Sequence, residues 1–201
     1  MTDLPADLPT EPTSDLPLAA PADAAPGPAD AASARAAEPG PESPLQQLIT
    51  TRAELRACVQ LLLDRAQKEI RAAASDLSVF ELSGIDAVSS LRRLLKSSRL
   101  ARVHLLVDDM RWLDTRAPRL RALQHDYPHA LLMRRADFHD RVGEDMFVLG
   151  DRRDGLRLQS TLGTLGEMWS HHGPNLQALL SGFDRRWERA THDQAAKPLG
   201  L

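Results

Sequence analysis

Val103-His104-Leu105-Leu106-Val107-Asp108-Asp109 decides the fold. A short, nearly continuous apolar run that stops at two carboxylates suits a strand buried on both faces, as in parallel sheets. Helical spacing lies on either side of it. Thr51-Arg-Ala-Glu54 is a capping box, in which hydroxyl and carboxylate satisfy free amides reciprocally. Leu55, Cys58, Val59, Leu62, Leu63, Ala66 and Ile70 follow at helical intervals, predicting a first helix to about residue 74. Asp76-Leu-Ser-Val-Phe80 reads as a strand. Ile85, Val88, Leu91, Leu94 and Leu95 then mark one face of a second helix.

Downstream, Arg119 to His125 predicts a third helix, with Pro118 suited to its first turn and Tyr127-Pro128 stopping it. Ala130–Met133, Met146–Leu149 and Leu156–Gln159 read as strands, with Asp154-Gly155 as a hairpin turn. Leu176, Leu180, Phe183 and Trp187 form the stripe of a closing helix. Alternating helices and strands, followed by a β cluster, imply an α/β layered sheet with helices on both faces.

The rest of the chain differs in kind. Residues 1–44 hold ten prolines, twelve alanines and eight acids against one base, a net charge of −7. Such a segment buries too little apolar surface to offset its ordering entropy, so a disordered acidic tail is expected. Its repeated Asp-Leu-Pro, at 3–5, 7–9 and 15–17, is read as low complexity. The expected domain covers 45–192, followed by a short flexible terminus at 193–201. Residues 45–201 carry 24 bases and 20 acids, a net +4. No apolar run reaches the roughly 18 residues of a membrane span. Cys58 is the only cysteine, and the first residues are acidic where a secretion signal is basic. These features together are read as a cytoplasmic protein.

The element order and the last third of the chain resemble one half of the phospholipase D-like fold. Enzymes of that superfamily carry HxKxxxxD on a strand and GSxN shortly after. The resemblance implies a nucleophilic His, a Lys and an Asn that steady the phosphate, and two facing motifs. The segment Met146-Phe-Val-Leu-Gly-Asp151 resembles the motif strand, with Asp151 as the motif Asp. In that register Glu144 stands at the His position and Met146 at the Lys position. Ser160 matches the Ser of GSxN, with Gln159 for Gly and Leu162 for Asn. A second register starts at His139-Asp140-Arg141, with Arg for Lys. It puts Met146 at the Asp position, with Asp145 one residue short. Neither register supplies all three groups, and the chain holds one such half. The resemblance therefore implies a non-catalytic binding or adaptor domain for nucleic acid, a phosphorylated ligand or a protein. The alternative is a cryptic phosphodiesterase built around His139 in a homodimer. Similar chains occur beside acetyltransferase domains, which implies that kind of partner.

The candidate catalytic set is His139, Arg141, Asp151 and Ser160; a polar solvated loop is the alternative for the first two. Asp108 and Asp109 lie where open α/β sheets bind ligands, beyond a strand's carboxyl end, or else cap the next turn. Arg134 and Arg135, with Arg152-Arg153 and Arg185-Arg186-Arg189, could bind phosphate if they share a face. His171-His172 invites a metal reading, but adjacent residues rarely chelate one ion and no partner sits at standard spacing. No cofactor or metal is implied, and glycine-rich phosphate loops and GxSxG elbows are absent from the sequence.

Overall fold

A computed structural model describes residues 46–161, 163–171 and 175–192, with the side chains of Ser160 and Thr161 excepted. The chain divides into units Met1–Glu38 and Pro39–Leu201, and every described residue belongs to the second. The expectations for residues 1–44 and 193–201 lie outside the described residues.

The element order is β1 (Gln46–Ile49), α1 (Arg52–Arg65), β2 (Glu69–Ala74), α2 (Ile85–Ser97), β3 (Arg102–Val107), α3 (Arg111–Arg116) and α4 (Pro118–Asp126). It continues with β4 (Leu131–Arg135), β5 (Phe147–Gly150), β6 (Asp154–Thr161), β7 (Thr164–Trp169), α5 (Leu176–Arg189) and β8 (Thr191–His192). The strands form one mixed sheet in the order β1-β7-β6-β5-β2-β3-β4-β8. β2, β3 and β4 are parallel; β5 runs antiparallel to β2, and the remaining pairs are antiparallel.

The two-residue period of the strands sorts their side chains onto two faces. Ile70, Ala72 and Ala74 of β2, Val103, Leu105 and Val107 of β3, and Val148 of β5 join one core. Helices α1, α2 and α4 cover it with residues such as Leu62, Leu63, Leu91, Leu94 and Leu120. Ala73, Leu106, Phe147, Leu149 and Trp169 turn the other way and meet Leu176, Leu179, Leu180 and Phe183 of α5. Helices thus lie on both faces, as the patterning predicts.

Several local expectations are corrected. The first helix ends at Arg65, and Ile70 belongs to β2. The sequence Glu-Ile-Arg-Ala-Ala-Ala continues the helical pattern, but the middle of a sheet buried on both faces overrides that propensity. Residues 76–80 are turn, not strand, although Leu77 and Phe80 are buried. α3 and strands β1, β7 and β8 were not foreseen. Asp154-Gly155 opens β6, and the chain reverses earlier, at Asp151 and Arg152 (φ 51° and 57°), where Arg153 N–H donates to the Gly150 carbonyl at 3.0 Å. Gly155 makes room instead: a Cβ there would stand 2.5 Å from the Trp169 ring on the paired strand.

Candidate functional site

The capping box forms as read. Glu54 N–H donates to Thr51 Oγ1 at 3.1 Å, and the Glu54 carboxylate accepts from the amides of Thr50 and Thr51. Those hydrogen bonds, the Thr50 amide foremost, hold the Glu54 carboxyl below its ordinary range. Entry into α1 is thereby fixed, and its first turns project Arg52 and Arg56 over one end of the sheet.

A cavity of about 620 Å³ opens there. Leu55 and Val59 of α1, Phe80, Met146, Leu158 of β6 and Leu165 of β7 supply apolar walls. Arg52, Arg56, Glu81 and Glu144 supply charge. Arg56 grips Glu81 with two bonds, Nε to Oε2 at 2.8 Å and Nη2 to Oε1 at 2.7 Å. That hydrogen bonding lowers the Glu81 pKa and raises that of Arg56. The pair is largely exposed, so it orients more than it stabilises. Glu144 and Met146, the positions of His and Lys in the register that ends at Asp151, thus both face one cavity.

The loop carrying Glu144 is tied down by groups from the sheet. The Asp108 carboxylate, beyond β3, accepts from the amides of Val142 (2.8 Å) and Gly143 (3.0 Å). Ser75 Oγ donates to the Gly143 carbonyl at 2.7 Å, and Val142 is buried. Asp109 accepts from Arg111 N–H at 2.9 Å, closing the turn into α3.

His139 lies on the outer part of the same loop and is exposed. Its amide donates to Asp137, and its ring meets Phe138 edge-on at 5.4 Å. The Arg141 guanidinium stacks over Phe138 at 4.8 Å, and Phe138 is 72% exposed. His139 and Arg141 therefore bracket an exposed aromatic ring. Ser160 is in β6, with its side chain outside the described residues.

Asp151 is at the other end of β5. Its carboxylate accepts from the amides of Gln67 (2.8 Å), Lys68 (2.7 Å) and Glu69 (2.9 Å). It fastens the turn between α1 and β2, away from Glu144.

Arg134 and Arg135 end β4 and diverge. Arg134 stacks on Trp187 at 4.5 Å and donates to its carbonyl at 2.7 Å, and burial lowers its pKa. Arg135 is exposed. Arg152 pairs with Glu69 at 2.8 Å, Arg186 with Asp145 at 3.1 Å and Arg189 with Asp140 at 3.2 Å. Arg152 and Arg153 belong to the end of the sheet opposite Arg135, so the three basic clusters do not all meet, although Arg134 on Trp187 sets the β4 pair beside the α5 cluster. Arg153 contacts His171 Nδ1 at 2.8 Å; His172 lies outside the described residues. Among the described residues no three His, Cys, Asp or Glu side chains group as metal ligands.

Sequence reasoning missed two further features. On the α5 face, Arg71 is 6% exposed and bonds Asp184 at 2.6 Å. His104 stacks on Trp187 at 4.7 Å, and its pKa is lowered by burial first and by Arg71 second. The other omission is Arg52, Arg56 and Glu81 beside Glu144, a grouping with no sequence signal because its members meet only through tertiary contact.

The mixed sheet with helices on both faces defines an α/β domain similar to phospholipase D-like folds. Residues 51–199 match the family described as Domain of unknown function (DUF7931), and the chain belongs to it. No curated protein matches by sequence. Among solved structures, the chain is similar to Nuc from Salmonella typhimurium, a phospholipase D family member (TM-score 0.55, 15% identity, 75% of this chain, 99% of that one). It is also similar to TrmBL2, an archaeal chromatin protein with a novel mode of DNA binding (TM-score 0.52, 18% identity, 79% of this chain). The match spans 57% of TrmBL2's length. At these identities the likeness is one of fold.

Proposed function

We propose that this domain works by binding, through the cavity at the start of β5, and not by phosphoryl transfer. One observation carries the reading: Glu144 and Met146 line that cavity where the superfamily's motif places His and Lys. A carboxylate repels an incoming phosphodiester, and a thioether cannot neutralise its oxygens. Loss of one transition-state electrostatic partner typically costs about 10²–10³ in rate. In this reading Asp108 acts on the cavity indirectly, by holding the loop that presents Glu144.

A dimeric phosphodiesterase around His139 gains little support, because that side chain is exposed beside Phe138 and distant in role from the cavity. Backbone phosphate binding is also less favoured, since Arg152 and Arg153 sit at the opposite end of the sheet from Arg135, and Arg134, Arg152, Arg186 and Arg189 are engaged internally. A second copy or an acetyltransferase-type partner remains compatible with a binding role.

The test is turnover of bis(p-nitrophenyl) phosphate by the purified full chain, with and without Mg²⁺. No release above the blank is expected. Release that is lost in His139→Ala and rises with protein concentration, as dimer assembly would, overturns the reading.

A further inference from the structure

The charges around the cavity specify more than its apolar walls do. Arg56 and Glu81 neutralise each other through their two bonds. The Glu54 carboxylate takes the amides of Thr50 and Thr51 just before α1, and Thr51 Oγ1 takes that of Glu54. Two further charges line the cavity: Arg52, on the first turn of α1, which attracts Glu81 through space without bonding it, and Glu144, on the loop before β5. Among the described residues neither side chain makes a hydrogen bond or ion pair, and the two do not pair with each other. They stand on different elements with Leu55, Val59, Met146 and Leu158 among the walls of the same cavity.

A purely anionic ligand meets Glu144, and a purely cationic one meets Arg52. A molecule with an apolar body and both charges satisfies all three kinds of wall. We propose that the cavity binds a small apolar zwitterion with the chemistry of a short apolar peptide with free termini, its ammonium toward Glu144 and its carboxylate toward Arg52. The volume, about 620 Å³, lies within the usual range of small-ligand pockets, roughly 300–1,000 Å³. This inference rests on the binding reading above and names its ligand class.

The experiment titrates the full chain with trileucine, N-acetyl-trileucine and trileucine amide, by calorimetry and by the NMR shift of the Met146 methyl group. Trileucine should bind and move that methyl. Capping either terminus should weaken binding roughly fivefold, the size expected for one exposed charge contact. Glu144→Gln should reproduce the effect of acetylation and remove any further loss from it; Arg52→Gln should do the same for the amide. Both positions are exposed, so folding is preserved. The proposal is overturned if capped and free peptides bind equally, if octanoate binds as well as trileucine, or if neither heat nor methyl shift appears at millimolar peptide. Phosphodiester turnover would instead overturn the binding reading itself, whatever the peptides do.

Discussion

The two faces of the sheet are built by different means. Under α1, α2 and α4 the strands present Ile70, Val103, Leu105, Val107 and Val148, and the helices answer with leucines. Under α5, β2, β3 and β4 present Arg71, His104 and Arg134, beside Phe147 and Leu149 of β5. There Arg71 lies 5.6 Å from the Phe183 ring centre, and Arg157 and Arg186 share Asp145 at 3.1 Å each. Area removed from water holds the first face. The second adds pairing and stacking to its own apolar contacts, because buried cations are tolerated only with partners. The first face should therefore respond to lost volume, and the second to lost partners and to pH.

The largest effect belongs to the first face. Leu91→Ala, at a site 1% exposed, should cost about 2–5 kcal/mol in urea unfolding, the transfer and cavity cost of a buried leucine. A cost below about 1 kcal/mol would mean that α2 does not seal this core.

Trp187→Ala probes the second face. The sequence stripe alone implies a fully buried ring, whose removal costs about 3–5 kcal/mol. In the structure Trp187 is half-buried, stacked with His104 at 4.7 Å and with Phe183 at 5.5 Å, with Arg134 over its ring. A smaller loss is expected, about 2 kcal/mol. A loss as large as that of a fully buried tryptophan would make the two faces alike and break the comparison.

Asp151→Ala removes the acceptor for three amides at the start of β2 and should cost about 1–2 kcal/mol. Asp151→Asn keeps a carbonyl acceptor and should cost less. Asparagine also tolerates the φ of 51° better than alanine, so equal costs would show that neither the acceptor nor the backbone conformation, but the negative charge, holds the turn.

The smallest effect is a pH dependence confined to the second face. The His104 pKa is lowered in the fold by burial, then by Arg71, with Arg134 and Arg102 acting the same way and Glu69 opposing. The unfolded chain, titrating near the ordinary histidine value of about 6.5, takes up its proton first. His104 therefore leaves stability undiminished above that pH and reduces it as pH falls through about 6.5 toward the lower folded value. Urea midpoints measured from pH 8 to pH 5 should show the decline, and His104→Phe should flatten it. An unchanged slope in that variant would place the dependence elsewhere.

What could be read from sequence followed local periodicity, whichever face an element serves. The run Val103–Val107, the capping box at Thr51 and the stripes of α2 and α5 each carry their own periodicity, so they were legible. β2 was not, because Glu-Ile-Arg-Ala-Ala-Ala reads as helix until a sheet closes on both sides of it. Arg71, inside that apparent helix, and His104, inside the apolar run, carry no signal of their own, since only α5 supplies Asp184 and Trp187 as their partners. At the site, the register brought out Glu144 and Met146 as misfits to a catalytic motif. Their meeting with Arg52, Arg56 and Glu81 in one cavity depends on how α1 and residues 78–81 pack, which no local pattern encodes.

The most direct measurement of the central claim looks for the covalent step itself. A nucleophilic histidine attacking bis(p-nitrophenyl) phosphate would form a nitrogen–phosphorus bond and expel p-nitrophenolate, leaving an aryl phosphoryl adduct on the protein. Intact-mass spectrometry of the chain, quenched at intervals under base to preserve such an adduct, should show only the unmodified mass. An adduct that maps to His139 would contradict the account and make the exposed loop, not the cavity beside Glu144, the working site.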